Sequence, residues 1–385
     1  MSISIVGLGN IGLPLSILIA NQNIKVNGYD KNKYRLSEIK KLRRENFEKD
    51  IFTLLNKPIV KKNFSFSNNL EKNNTYIICV PTPIKYKKNK KVVDLYYLNQ
   101  ALKEIEKILE PNNLVIIEST VPMNTCLKIE KKLNKKIKIY VSHTPERAFP
   151  GKTIYEMIYN NRIIGSNSKN SLIKTKKIYK KFVKGKIINT DFEIAECSKL
   201  AENIYRDVNI ALANELHGIF SASGLNSKKI FEIANNHPRV NIHNYGIGVG
   251  GHCIPVDPYF IKDFEKTKLI KFFRKINDTT TNKYINKITK IINTNKNKRI
   301  VLLGLTYKAD TIDFRNSPAL KIFKSLLNLK KVYAYDPFIN NKIFKSNKLI
   351  DTKNISNKDL LIPLVKHEVI KKILLKRKKQ IINLI

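Results

Sequence analysis

Cys253 stands two residues beyond a run in which four glycines fall within six positions, Gly246-Ile247-Gly248-Val249-Gly250-Gly251. Glycine reaches backbone conformations closed to other residues. Such a loop therefore offers bare amides to a phosphate or sugar and can hold a thiol in an exposed, unusual position. Cys253 reads as a nucleophile, although a cysteine taken at random is a small buried hydrophobe. Asp257 lies close enough in sequence to orient a neighbour or an attacking group. Cys79, in an apolar strand, and Cys126 and Cys197, along helices, read as structural. None of the cysteines has a CxxC or His-paired spacing, so no metal is expected, and a reducing cytoplasm suits them.

Two further constellations carry chemistry. Gly7-Leu8-Gly9-Asn10-Ile11-Gly12 follows a strand-like Ile3-Ser4-Ile5-Val6 and opens a helix. The first glycine permits the tight turn, the second lets a pyrophosphate approach the backbone, and the third lets helix pack on strand. The helix N-terminus attracts the phosphate charge. Asp30, ending the next strand, can accept hydrogen bonds from a ribose diol and would repel a 2′-phosphate, which favours NAD over NADP. Lys199, Asn203 and Arg206, spaced i, i+4 and i+7, share one helical face. They can coordinate phosphate, sugar hydroxyls or a developing oxyanion, or they form a solvated basic face.

The elements that must position these groups alternate between strand and helix. Strands are expected at Ile3–Val6, Ile24–Tyr29, Thr75–Val80, Leu114–Glu118 and Ile137–Val141, with helices between them, which argues for a doubly wound parallel sheet. From Thr190 to Gly224 the pattern is one long helix, with Thr190-Asp191-Phe192-Glu193 in the form of a capping box and Gly224 as its stop. A second α/β segment opens with Ile300–Leu303 and Gly304, continues as a helix after Pro318, and returns to a strand at Val332–Tyr335 before Asp336. The fold class expected is α/β, two Rossmann-like domains joined by a long central helix. The boundaries are 1–189 for the dinucleotide domain, 190–298 for the long helix and cysteine loop, and 299–385 for the second Rossmann-like domain.

Composition narrows the classes further. The 385 residues carry 72 Lys+Arg against 31 Asp+Glu, a formal charge of +41. That excess is compatible with nucleic-acid binding, with attraction of an anionic substrate, or with drift. The basic residues are dispersed and form no stripe with interleaved aromatics, so no specific nucleic-acid partner is expected. With 42% hydrophobic residues the chain can build sizeable cores. No run of 18 or more uncharged apolar residues occurs, so no membrane span is expected. The N-terminus has no basic segment ahead of its first strand, which again points to the cytoplasm.

Taken together, these segments resemble the UDP-glucose/GDP-mannose dehydrogenase family almost end to end. The resemblance runs through Gly7 to Gly12, Val80-Pro81-Thr82-Pro83, Glu118-Ser119-Thr120-Val121-Pro122 and Pro145-Glu146-Arg147. It continues through Lys199-Leu200-Ala201-Glu202-Asn203, Arg206-Asp207-Val208-Asn209-Ile210, Ala213-Asn214-Glu215-Leu216 and His237-Pro238-Arg239-Val240-Asn241. Gly248 to Pro258, Gly304 to Asp310 and Arg315-Asn316-Ser317-Pro318-Ala319 complete it. The His252-Cys253-Ile254-Pro255 form of the cysteine loop resembles the branch acting on UDP-N-acetylhexosamines, UDP-N-acetylmannosamine first among them. UDP-N-acetylglucosamine and UDP-glucose are the alternatives.

The resemblance implies a four-electron oxidation of the sugar C6 alcohol to a uronate for polysaccharide biosynthesis, with NAD as oxidant. Cys253 would carry the intermediate as a thiohemiacetal and then a thioester, chemistry that suits a thiolate. Lys199 would act in proton transfer and, with Asn203, stabilise the oxyanion. Glu146 and Asp257 would position or activate water. Gly7, Gly9, Asn10, Ile11, Gly12, Asp30, Arg35, Thr82, Thr120 and Arg315 would hold the cofactor. Arg147, Ala148, Arg206, His237, Arg239, Gly250, Tyr307 and Lys308 would hold the nucleotide sugar with Lys199 and Asn203. A homodimer through the long helix is implied as well. The second domain keeps only Gly304 of a phosphate loop, as expected if it holds UDP, and the thinning resemblance after Asp336 suggests that domain is truncated.

Overall fold

The computed structural model describes residues 2–44, 47–88, 90–339, 344 and 346–384. The chain forms two compact units. The first comprises Met1–Ala201 with Tyr259–Lys262, and the second Glu202–Pro258 with Asp263–Ile385.

The first unit is built on an eight-stranded sheet. Its strands are β1 (Ser2–Val6), β2 (Lys25–Tyr29), β3 (Phe64–Ser67), β4 (Thr75–Ile78), β7 (Leu114–Ile117), β8 (Tyr140–His143), β9 (Arg162–Gly165) and β10 (Ile187–Thr190). A hairpin, β5 (Ile84–Lys87) and β6 (Lys90–Val93), is inserted after β4. The sheet order is β10-β9-β8-β7-β4-β1-β2-β3, parallel except for the single antiparallel pairing of His143 with Gly165. From β3 to β8 this is the doubly wound order, with the switch between β1 and β4.

The burial of β4 and β7 explains why they read as continuous apolar runs. In β7, Leu114 and Ile116 join the core on one face while Val115 and Ile117 join the core on the other. Period-two alternation with both faces covered leaves no polar position in the strand. Two expectations shift. The strand placed at Ile137–Val141 is Tyr140–His143, because Asn134 caps the preceding turn through Ile139 and delays the start. The capping box at Thr190 does not form. Thr190 ends β10, and the first helical acceptor is the Asp191 carbonyl, which takes the Ala195 N–H.

The long helix, Phe192–Ala222, runs for 31 residues. Gly224, at φ +73, lets the chain turn out of it, and the Leu225 N–H returns to the Phe220 carbonyl. The second unit adds a long helix that periodicity did not single out, Leu269–Thr294. Buried Arg274 and Asn277 on it hold Asp207 of the first long helix, whose carboxyl burial pushes up to about 6 against the pull of Arg274. A three-stranded parallel sheet follows, in the order β12 (Val332–Tyr335), β11 (Ile300–Leu303), β13 (Leu360–Pro363). Beyond Asp336, where the resemblance thins, the chain thus supplies β13 and a helix over Glu368–Lys376.

Candidate active site

The glycine turn is built as its spacing requires. Gly7 sits at φ +96, and a Cβ there would lie 2.7 Å from the Cys79 carbonyl oxygen. A Cβ on Gly12 would fall 1.8 Å from the Gly7 oxygen. Gly9 has nothing within 4 Å of such a Cβ, so its backbone faces open space. Two glycines serve packing and one keeps an approach clear for a phosphate. The Asp30 Oδ2 accepts the Leu8 N–H at 2.8 Å and its Oδ1 accepts the Asn32 N–H at 2.8 Å. Each oxygen keeps a lone pair for a ribose hydroxyl. Arg35 donates through Nε to the Leu8 carbonyl at 2.8 Å, so it braces the turn itself. These residues fit a dinucleotide.

The second unit repeats this arrangement and closes it. The Gly304 N–H donates to the Tyr335 carbonyl at 2.9 Å, as the Gly7 N–H does to Tyr29 at 2.8 Å. The Leu305 N–H donates to Asp336 Oδ2 at 2.5 Å, echoing Leu8 and Asp30. Asp336 Oδ1, however, accepts the Phe338 and Ile339 N–H groups, and His367 Nε2 lies 3.3 Å from Oδ2. Asp336 is buried and saturated, so it cannot serve a ribose.

At the cysteine loop, the Cys253 carbonyl accepts the N–H of Val256 at 2.9 Å and of Asp257 at 2.8 Å. That tight turn starts a short 3-10 helix at Asp257. The Asp257 carboxylate accepts from the Asn203 amide at 2.5 Å, and both residues are buried. The tertiary structure therefore joins Asn203, Asp257 and Cys253. Lys199, also buried, lies one turn before Asn203 on the helix.

The glycine loop differs from the expectation of free amides. The Gly251 N–H donates to the Arg315 carbonyl at 3.1 Å and the Gly246 N–H to Asn214 Oδ1 at 2.9 Å. A Cβ on Gly250 would lie 2.7 Å from both Pro318 and Tyr307. The loop needs glycine because it packs directly against the 315–318 turn. Arg315 itself is held by Asp313, Nη2 to Oδ2 at 2.5 Å. Burial pushes the Tyr307 phenol up to about 12, with Asp313 and Cys253 adding to it. Lys308 offers its carbonyl to Thr306 and Thr311, which shapes its turn. Arg206 is half-buried, whereas His237 and Arg239 lie on an exposed stretch, the Arg239 N–H meeting His237 Nδ1 at 3.3 Å.

In the first unit, Thr82 Oγ1 donates to the Thr120 carbonyl at 2.8 Å, which brings two expected cofactor residues together. Glu146 Oε1 accepts the N–H groups of Arg147 and Ala148, each at 2.6 Å, and Oε2 accepts from Arg162 at 2.6 Å. Its carboxylate is thus committed to shaping the 145–148 turn. Arg162 also donates to Glu118 at 2.9 Å. Burial pushes the Glu118 carboxyl up to about 7, against the pull of Arg162. Arg162 was missed by sequence reasoning. Its one signal is a cation opening the apolar strand Arg162-Ile163-Ile164-Gly165. Burial also raises the thiols of Cys79, Cys126 and Cys197, which suits structural roles.

His143, wholly buried, sits at the end of β8 with Nδ1 2.8 Å from the Ile117 carbonyl. Burial lowers it from 6.5 to about 4. The unfolded chain therefore binds a proton between these values that the folded chain refuses. The group's contribution is complete above pH 6.5 and fades as pH falls to 4, by up to about 3 kcal/mol. Glu118 works in the opposite sense, since its raised carboxyl makes the fold gain protons below pH 7. Urea unfolding should therefore compare the parent with His143→Asn. The stability difference should move toward the variant between pH 7 and pH 4.5, and a pH-independent difference would refute the assignment.

The chain matches three consecutive models of one family. Residues 1–183 match the NAD binding domain of the UDP-glucose/GDP-mannose dehydrogenase family, 193–283 its central domain and 301–383 its UDP binding domain. It is 43% identical over 368 residues to the UDP-N-acetyl-D-mannosamine dehydrogenase of Methanocaldococcus jannaschii, covering 95% of this chain and 86% of that protein. It is 34% identical to the NDP-N-acetyl-D-galactosaminuronic acid dehydrogenase of Ralstonia solanacearum, covering 97% and 92%. The solved structure of the UDP-D-ManNAc dehydrogenase from Pyrococcus horikoshii superposes with a TM-score of 0.87 at 34% identity, over 100% of this chain and 94% of that one.

Proposed function

The chain belongs to the UDP-glucose/GDP-mannose dehydrogenase family, and on that footing we propose that it oxidises the C6 alcohol of UDP-N-acetylmannosamine to the uronate. The observation that carries the reading is the linkage of Asn203 to Asp257 and of Asp257 to the Cys253 carbonyl. It ties an oxyanion-stabilising amide to a thiol in one turn. Bound NAD supplies the two-electron acceptor for each oxidation, two being reduced per sugar.

The protein's own groups do the rest. Lys199 takes the proton of the C6 hydroxyl as the aldehyde forms. The Cys253 sulfur adds to the aldehyde carbon, and the resulting oxyanion is stabilised by Lys199 and Asn203. Loss of a second hydride from its carbon, breaking the C–H bond, converts that thiohemiacetal to a thioester. Water placed by Asp257 attacks the thioester carbon, the C–S bond breaks, and the thiolate is restored. Glu146 acts by holding the 145–148 turn, which carries Arg147 and Ala148. Arg206, Tyr307 and Lys308 bind the nucleotide, with His237 and Arg239 at its rim. Asp30, Thr82 and Thr120 meet the cofactor.

The site of action we propose is the cytoplasm, whose reducing poise keeps Cys253 a free thiol. No helix among the described residues is long and apolar enough to cross a membrane. The homodimer reading rests on the long helix, where Tyr205, Leu212 and Ile219 stand exposed at seven-residue intervals.

A panel of nucleotide sugars followed by NADH absorbance tests the assignment. UDP-N-acetylmannosamine should be preferred over UDP-N-acetylglucosamine and UDP-glucose, with two NADH formed per sugar. NADP should fail, because its 2′-phosphate meets Asp30 as a like charge, a clash of several kcal/mol in a partly desolvated site. Equal turnover with NADP would remove Asp30 from its role. Faster oxidation of UDP-glucose would replace the proposed substrate.

A further inference from the structure

Glu196 sits on the second turn of the long helix, 1% exposed. Its Oε2 accepts the Asn124 N–H at 2.6 Å and its Oε1 accepts the Cys126 N–H at 2.8 Å. Both donors belong to the N-terminus of the helix Thr125–Leu133, whose own capping residue, Asn124, makes no side-chain cap. Asn124 also holds a left-handed conformation, φ 63, which asparagine tolerates better than other residues with a Cβ. A carboxylate received from a distant helix satisfies the free N–H groups and complements the positive helix end.

The segment so clamped is the short loop leaving β7. At its near end, Ser119 Oγ donates to the Val80 carbonyl at 2.7 Å, and the Thr120 carbonyl receives Thr82 at 2.8 Å. At its far end the Thr125 N–H closes on the Pro122 carbonyl at 3.2 Å, and Glu196 takes the next groups. Along the long helix, Lys199 follows Glu196 by three residues and so lies about one turn further on.

We propose that Glu196 is a positioning residue for the oxidation, locking the loop that carries Thr120 to the helical turn that carries Lys199. The cofactor side of the first unit and the proton-transfer group then keep one spacing through both oxidations. The inference rests on the roles proposed above for Thr120 and Lys199, and no part of Glu196 touches sugar or cofactor in it.

Glu196→Gln keeps the volume but leaves one acceptor oxygen, and its amide N–H₂ then faces a backbone donor. NADH binding, followed by fluorescence without any sugar, should weaken about tenfold, and kcat should fall by roughly ten- to a hundredfold, the scale of an ångström-sized misplacement. The KM for the nucleotide sugar should stay within about twofold, because Glu196 bonds to none of the residues that bind the nucleotide. A merely structural role would lower the melting temperature and leave NADH affinity and kcat unchanged well below it, and that result overturns the proposal. So does a loss explained wholly by an inactive fraction. If Glu196→Gln fails to fold, Glu196→Asp gives the same readings, since its shorter carboxylate cannot span both donors. Failure of the parent to oxidise any sugar would defeat the proposed function, while the NADH comparison would still decide whether Glu196 orders the Thr120 loop.

Discussion

Cys253→Ala should abolish uronate formation while leaving nucleotide-sugar and cofactor binding largely intact. Only the second oxidation needs a sulfur adduct, because conversion of alcohol to aldehyde needs a base and an electron acceptor alone. Given the 6-aldehyde directly, the variant should produce no appreciable NADH where the parent does. A loss of at least about three orders of magnitude is expected, roughly 4 kcal/mol of transition-state stabilisation. The turn is held through the Cys253 carbonyl by the Val256 and Asp257 N–H groups, bonds that alanine at this position keeps. Replacing Cys79, Cys126 or Cys197 should cost stability at most. If Cys253→Ala still makes the uronate at near-parental rate, the thioester route is wrong.

Lys199→Met should lower kcat by about two to four orders of magnitude, the range for loss of a positioned proton-transfer group. Methionine nearly matches the apolar stem of lysine, so the buried helix face should stay packed and only the charge is lost. NADH affinity should change little, since the glycine turn and Asp30 are bonded independently of Lys199. A variant that keeps more than about a tenth of parental kcat would move proton transfer to another residue.

The parts legible in the sequence are those whose geometry is local. Gly7, Gly9 and Gly12 carry their meaning in five consecutive peptide steps, and the space each faces follows from the strand-to-helix turn alone. The echo of that turn at Gly304 was legible too, down to the carboxylate ending the next strand. The long helix announced itself through its period, and the stop at Gly224 through the need for a left-handed residue. Cys253 stood out because glycines surround it.

What those glycines are for, only the tertiary structure decided. They admit Pro318, Tyr307 and the Arg315 carbonyl, contacts with residues more than fifty positions away, so the loop is shaped by protein packing. The same holds wherever a buried charge must find a partner. Asn203 meets Asp257 across 54 positions, Arg162 meets Glu118 across 44, and Glu196 meets Asn124 across 72. Sequence spacing carries no information on such pairs, because sheet order and the path of the connections set which chain ends meet. Desolvation supplies the reason they form at all: a carboxylate or guanidinium removed from water is costly until another buried group satisfies it. The silence of the Asp336 site is the clearest case. Its carboxylate matches Asp30 in type and place, yet His367, 31 positions further along, lies against the oxygen a ribose hydroxyl would need.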